Sequence, residues 1–307
     1  MNILDIKVKK LANWCNVLNV ESEPIELIIE SSSQLSYRDQ AAIRQFHRAL
    51  CVAIDLAANS KFWTGTVAEI GSGFTASLLR RFAERGLISE IHTIDANSNS
   101  LSINSRGVLR DSYLGKTSGS YLLEFHKFVT TSIEDVNRLY SRSALSELGV
   151  DDPWQALPRF MNLNFDSRNF LHLSSHITEF GTLKFESDFN NLLDTPIYKY
   201  FLECNSEERK MLIHAPKNSL EQFQSLLVSK NPDILILDGG EISALSDFLT
   251  AYPLMKPGSI IILHDIIFPK SIKNWLSTHI LLGLDNWRVI DLDFSTAQGI
   301  CFAVKNN

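Results

Sequence analysis

Four cysteines in 307 residues, Cys15, Cys51, Cys204 and Cys301, stand far apart, with no Cys-x-x-Cys pair among them. A disulfide-stapled secreted scaffold or a zinc ribbon needs paired cysteines, so reduced, mostly buried thiols in a cytoplasmic protein are expected instead. Positive charge is not in excess either. Lys and Arg total 29 against 35 Asp and Glu, a net charge of −6 with the signs interspersed. Without a basic stripe to neutralise phosphates, a nucleic-acid partner is not expected. Long apolar runs are missing as well: Ile260-Ile-Ile-Leu263 is cut by His264 and Asp265, far short of the roughly 20 residues that span a bilayer. No targeting segment or membrane partner is expected. Also lacking is the third glycine of a dinucleotide fingerprint, because Gly71 and Gly73 are followed by Phe74, Thr75 and Ala76. Only the variant with alanine in the last position fits that pattern.

What is present is centred on Thr66-Val-Ala-Glu-Ile-Gly-Ser-Gly-Phe-Thr-Ala-Ser77 and Glu90-Ile-His-Thr-Ile-Asp95. An apolar run ends in an acid and two glycines, then passes into residues whose apolar positions recur at helical spacing. This predicts strand, tight turn, helix and second strand, with Glu69 and Asp95 near the strand tips. Glycines let a backbone turn sharply and approach a ligand closely. An acid after the second strand suits the hydroxyls of a ribose.

Before this unit, residues 1–62 read as helical. Ile3–Trp14 and Tyr37–Leu56 both carry apolar residues three and four apart, separated by the loop Glu21-Ser-Glu-Pro24, with Ser31-Ser-Ser as a capping region. His47 on the second helix reads as a packed or solvated residue rather than a ligand. After Asp95 the βα rhythm stops, and residues 97–207 are rich in Ser, Asn and aromatics. A loop of that length is not compatible with a compact domain, so an inserted subdomain is expected, with a helix at Ser132–Ser141 started by Ser132 and Asp135. His172 and His176 have the spacing of a helical metal pair but no intervening His-Glu-x-x-His acid, and two surface histidines are the plainer reading.

The alternation resumes with Lys210–His214 as a third strand, Ser219–Leu227 as its helix, Asp233–Asp238 as a buried strand, Ile242–Tyr252 as helix and Ser259–Leu263 as a fifth strand. Unbroken apolar runs point to a parallel sheet covered on both faces. Trp287–Asp293 and Gly299–Val304 are joined too briefly for a crossover and should pair antiparallel. The expected fold is therefore α/β, a Rossmann-like doubly wound sheet of seven strands, mostly parallel, closed by a C-terminal antiparallel hairpin. The expected domains are a helical cap (1–62), a core (63–96 and 208–307) and an inserted lid (97–207).

Glu69-Ile-Gly-Ser-Gly-Phe with Asp95 resembles the first two motifs of class I S-adenosylmethionine-dependent methyltransferases. Leu237-Asp-Gly-Gly-Glu-Ile-Ser243 and Leu254-Met-Lys-Pro-Gly-Ser-Ile-Ile-Ile-Leu-His-Asp265 resemble the small-molecule O-methyltransferase branch. The similarity covers roughly residues 60–96 and 209–304. It implies S-adenosylmethionine as cofactor, with Glu69, Gly71, Ser72 and Gly73 beside its methionine end, Asp95 on the ribose, Asn218 with Lys217 near adenine, and Asp238 at the next strand tip. His264, Asp265 and Glu241 are the catalytic candidates, His264 as the base because its reference pKa is near neutral. The resemblance also implies Mg²⁺ at Asp238 and Asp265, although Ile266 stands where a second acid or amide is usual and Glu241 is the only substitute. A strand-end hydrogen bond for His264 and a helix cap for Asp238 are the plainer readings. The expected activity is methyl transfer to a small-molecule hydroxyl, with a homodimer as an admissible assembly. N-methylation, a nicotinamide-dependent reductase and a non-catalytic cofactor-binding protein remain open alternatives.

Overall fold

The computed structural model describes residues 37–96, 116–118, 121–142, 196–266, 273–293, 296 and 298–306. The expected helix Ile3–Trp14 and the pair His172 and His176 lie outside these.

The described strands are β1 (Thr66–Ile70), β2 (Glu90–Ile94), β3 (Lys116–Ser118), β4 (Tyr121–His126), β5 (Ile234–Leu237), β6 (Ile260–His264), β7 (Trp287–Asp293) and β8 (Ile300–Lys305). They form one sheet in the order β3-β4-β2-β1-β5-β6-β8-β7. From β4 through β6 the neighbours are parallel; β8 runs antiparallel to β6 and pairs with β7 as the expected hairpin. The seven expected positions in the sheet are thus filled, with β3 as a short extra strand on the β4 edge. Isoleucine and leucine fill β5 and β6 because both faces of the sheet are covered, so no position can be polar cheaply.

The helices are α1 (Tyr37–Ala58), α2 (Phe74–Glu84), α3 (Ile133–Arg142), α4 (Pro196–Ile213), α5 (Ser219–Lys230), α6 (Ser243–Ala251) and α7 (Trp275–Gly283). On one face Ile43, Phe46, Leu50 and Ile54 of α1 and Leu78, Leu79 and Phe82 of α2 pack on Val67, Ile91, Ile234, Ile236 and Ile262. On the other, Phe223 and Leu227 of α5, Leu245 and Phe248 of α6 and Leu281 of α7 pack on Ala68, Ile94, Leu235, Leu237 and Leu263. Helix α1 is therefore one of the layers of the core rather than a separate cap. His47 is buried against Phe82, and burial, aided by Arg85 and Arg48, lowers its pKa to about 4, as suits a packed imidazole.

Two expectations are corrected. Lys210–His214 is not a strand but the end of α4 and the turn after it. Leu212 is 1 % exposed whereas Met211 and Ile213 are 46 % and 53 % exposed, so three consecutive apolar residues supply a single buried position. The third parallel strand is instead β4, inside the stretch assigned to the insertion, where Tyr121 and Leu123 point into the core. The boundary at residue 97 thus cuts through the sheet. Helix α3 begins as expected: Asp135 N donates to Ser132 Oγ (3.2 Å), and Ser132 N donates back to Asp135 Oδ2 (3.2 Å). Among the described residues, no helix is long and apolar enough to cross a membrane.

Candidate active site

The carboxyl ends of β1, β2, β5 and β6 open on one cavity of about 720 Å³, the crevice where doubly wound sheets hold ligands. Its base is the turn after β1. Gly71 has φ +84°, and a Cβ there would stand 2.0 Å from the Asp238 carbonyl oxygen, so only glycine lets β1 and β5 finish side by side. Gly73 differs. Its φ is negative, −151°, and a Cβ would meet nothing within 4 Å. The open space in front of it belongs to the cavity.

Ser72 presents its amide (2.9 Å) and its hydroxyl (2.5 Å) to Asp95 Oδ2, which fixes the Asp95 carboxylate on the cavity wall after β2. Gly71, Ser72, Gly73 and Asp95 are therefore brought together as expected. Glu69 is not with them. It is fully buried beneath the turn and accepts a hydrogen bond from Thr93 Oγ1 (2.7 Å). Burial pushes its carboxyl up to about 7 against the pull of the Thr93 and Thr75 hydroxyls. Its place is between β1 and β2, beneath the turn rather than on the cavity wall. Asn218 is also displaced: it is exposed ahead of α5, accepts from Gln222 Nε2 (3.0 Å) and borders a separate groove. The turn it was assigned to does not follow a strand. Phe128, Val129 and Thr130, which do follow the true third strand, line the cavity instead.

The other end of the cavity holds Asp238, His264, Asp265 and a residue that sequence reasoning missed, Lys273. Its ammonium donates to Asp238 Oδ1 (2.5 Å) and Asp265 Oδ2 (3.1 Å), while its backbone N donates to Glu241 Oε2 (3.2 Å). Burial works against the charge, but Asp238, Asp265 and Glu241 outweigh it and raise the Lys273 pKa. Burial likewise opposes ionisation of Asp238, yet Lys273 and His264 hold its pKa below the ordinary value. His264 Nδ1 lies 3.0 Å from Asp238 Oδ1 and 3.6 Å from Asp265 Oδ2, with the Phe46 ring 4.5 Å away between centroids. Burial pulls the imidazole pKa down and the two carboxylates pull it up more strongly, so the net shift is upward. His264 Nε2 is buried and has no hydrogen-bond partner among the described residues.

Lys273 is placed by its neighbour. Asn274, fully buried, donates from Nδ2 to the carbonyls of Leu237 and His264 (both 2.8 Å), clasping the ends of β5 and β6. Asp265 has φ +60°, a conformation that few residues other than glycine adopt and that asparagine and aspartate tolerate best. The expected Mg²⁺ ligands are thus occupied: an ammonium stands between the two carboxylates where a dication would have to sit. These residues do not fit Mg²⁺. Opposite them, Glu208 of α4 takes the amides of Ile242 (3.0 Å) and Ser243 (2.7 Å), closing the start of α6.

No protein-family model matches the chain, and no curated protein matches it. Among solved structures, an O-methyltransferase from Bacillus cereus in complex with SAH is 12 % identical, with a TM-score of 0.40 over 96 % of this chain and 100 % of that one. The O-methyltransferase TomG from Streptomyces achromogenes, involved in tomaymycin synthesis and in complex with SAM, is 14 % identical, with a TM-score of 0.36 over 92 % and 96 %. Both overlaps are loose, so what the site can do follows from its own residues.

Proposed function

We propose that the protein is an S-adenosylmethionine-dependent methyltransferase acting, without a metal, on a hydroxyl of a small specialised metabolite. The observation that carries this reading is a single cavity with a glycine turn and ribose-type acid at one end and an orphaned imidazole nitrogen, backed by a carboxylate, at the other. The cofactor fits the first end, where the space before Gly73 is open and Asp95 is held in place. When bound, it supplies a methyl group activated on a sulfonium.

Asp238 accepts from His264 Nδ1 and so leaves the lone pair on Nε2, the nitrogen that takes the acceptor hydroxyl's proton as the oxygen gains the methyl group. Lys273, kept charged by its carboxylates, stabilises the negative charge developing on that oxygen. Phe46, Phe128 and Leu212 exclude water along the wall. The cytoplasm is the compartment where this reaction would run.

Calorimetric titration with S-adenosylmethionine and its demethylated product, beside NADH and NADPH, tests the reading. Binding of the first pair alone, unchanged by added Mg²⁺, is expected. Preference for a nicotinamide would overturn the cofactor assignment, and a requirement for Mg²⁺ would overturn the role given to Lys273.

A further inference from the structure

A second cluster of ligating groups lies on the sheet face that α5 covers, outside the cavity. His92 on β2 pairs in register with Glu124 on β4, and Glu90 and His126 stand two residues along each strand, so all four side chains share one face. His92 Nδ1 is 3.0 Å from His126 Nε2 and 3.2 Å from Glu124 Oε2, and the last two are 3.6 Å apart. Bonds of about 2.0–2.2 Å from zinc to nitrogen and oxygen put neighbouring ligands in a tetrahedron about 3.3 Å apart, so one point can serve all three atoms.

The outer contacts have the same character. His92 Nε2 lies 2.7 Å from Glu90 Oε1, so its proton is on that side and the Nδ1 lone pair faces Glu124 and His126. Two ring nitrogens 3.0 Å apart share at most one proton, so His92 Nδ1 as an acceptor stands 3.2 Å from a second acceptor, Glu124 Oε2. A cation resolves that opposition. Lys230 is the nearest competitor, yet its shorter contact, 2.9 Å, is to Glu90 Oε1, and Glu124 Oε2 is at 3.5 Å. It supports the outer carboxylate and also pairs, at longer range, with the Glu124 oxygen that the ion would take.

We propose that His92, Glu124 and His126 form a zinc site, with Glu90 orienting His92 and a water completing the tetrahedron. Entry is from the groove that His126 shares with Phe128, Asn218 and Gln222. The ion would tie the third strand to the second just where His126 O accepts the Asp95 amide (3.1 Å).

The test uses the full chain, stripped with a chelator and titrated with Zn²⁺, and with Co²⁺ as a spectroscopic probe. One equivalent of Zn²⁺ is expected, and Co²⁺ should give the visible absorption of a four-coordinate ion. Glu124→Ala and His126→Ala should each weaken binding at least tenfold, and Glu90→Gln about 10- to 100-fold. Both ligand positions are partly exposed, so these variants carry the test if the buried His92→Ala fails to fold. His264→Ala should leave the stoichiometry unchanged. Absence of Zn²⁺ binding, binding indifferent to Glu124→Ala and His126→Ala, or binding lost with His264→Ala would each overturn the site.

Discussion

Gly71 and Gly73 stand two residues apart and answer to different demands. At Gly71 both the positive φ and the Asp238 carbonyl reject a side chain, whereas at Gly73 neither backbone nor neighbours do. Gly71→Ala is therefore expected to cost several kcal/mol, since strain at φ +84° adds to a 2.0 Å clash with backbone. Gly73→Val should melt near the parent and lose affinity for S-adenosylmethionine; calorimetry beside thermal melts separates the two. Normal cofactor affinity in the folded Gly73→Val protein would remove the turn from the binding site. At the other end, the proposed base His264 would have to act with Nε2 unprotonated, and its pKa lies above the usual 6.5. The rate should accordingly fall as pH drops through a value above 6.5, not below it. Asp238→Asn removes the carboxylate that raises this pKa and should move the fall to lower pH. His264→Ala should cost about 10²- to 10⁴-fold in kcat and spare cofactor affinity. An acid limb that stays in place without the imidazole would assign the base elsewhere.

Elements differ in how plainly the chain announces them. The unit from β1 to β2 was legible because its apolar runs, glycines and acids fall in one short stretch, β5 and β6 because they are apolar without alternation, and the hairpin because its link is too short for a crossover. Strand β4 was hidden: Glu124 and His126 make Tyr121–His126 look amphipathic, yet those half-buried polar residues meet one another on the sheet. The end of α4 erred the other way, since three apolar residues in a row suit either period. Lys273 and Asn274 carry no motif and reach the site only because Asn274 clasps two strand ends. Glu69 was read by position as a ligand-facing acid, but the side chain goes inward between β1 and β2. Its burial has a measurable sign. The folded carboxyl titrates near 7 rather than 4.5, so the folded state holds the extra proton between those values. Stability should fall as pH rises from 4.5 to 7, on the order of 3 kcal/mol from this group. Melting curves on either side of the window should show a flatter dependence in Glu69→Gln, and an unchanged slope would mean that the carboxylate is ionised in the fold.

At the scale of the molecule, two helical layers clad a mixed sheet whose switch point supplies the cavity. Asp238, His264, Asp265 and Lys273 gather at one end of that cavity, in a chain of net charge −6 whose signs are otherwise interspersed. Asp238 belongs to both halves of that cavity. Its backbone carbonyl abuts Gly71, and its carboxylate holds Lys273 and His264. A ligand that presses on the glycine turn thus presses, through one residue, on the group that handles the proton. Coupling between two sites is reciprocal, so whatever the first occupant does to the affinity of the second, the second does equally to the first. Cofactor and acceptor should bind cooperatively even though no side chain need touch both.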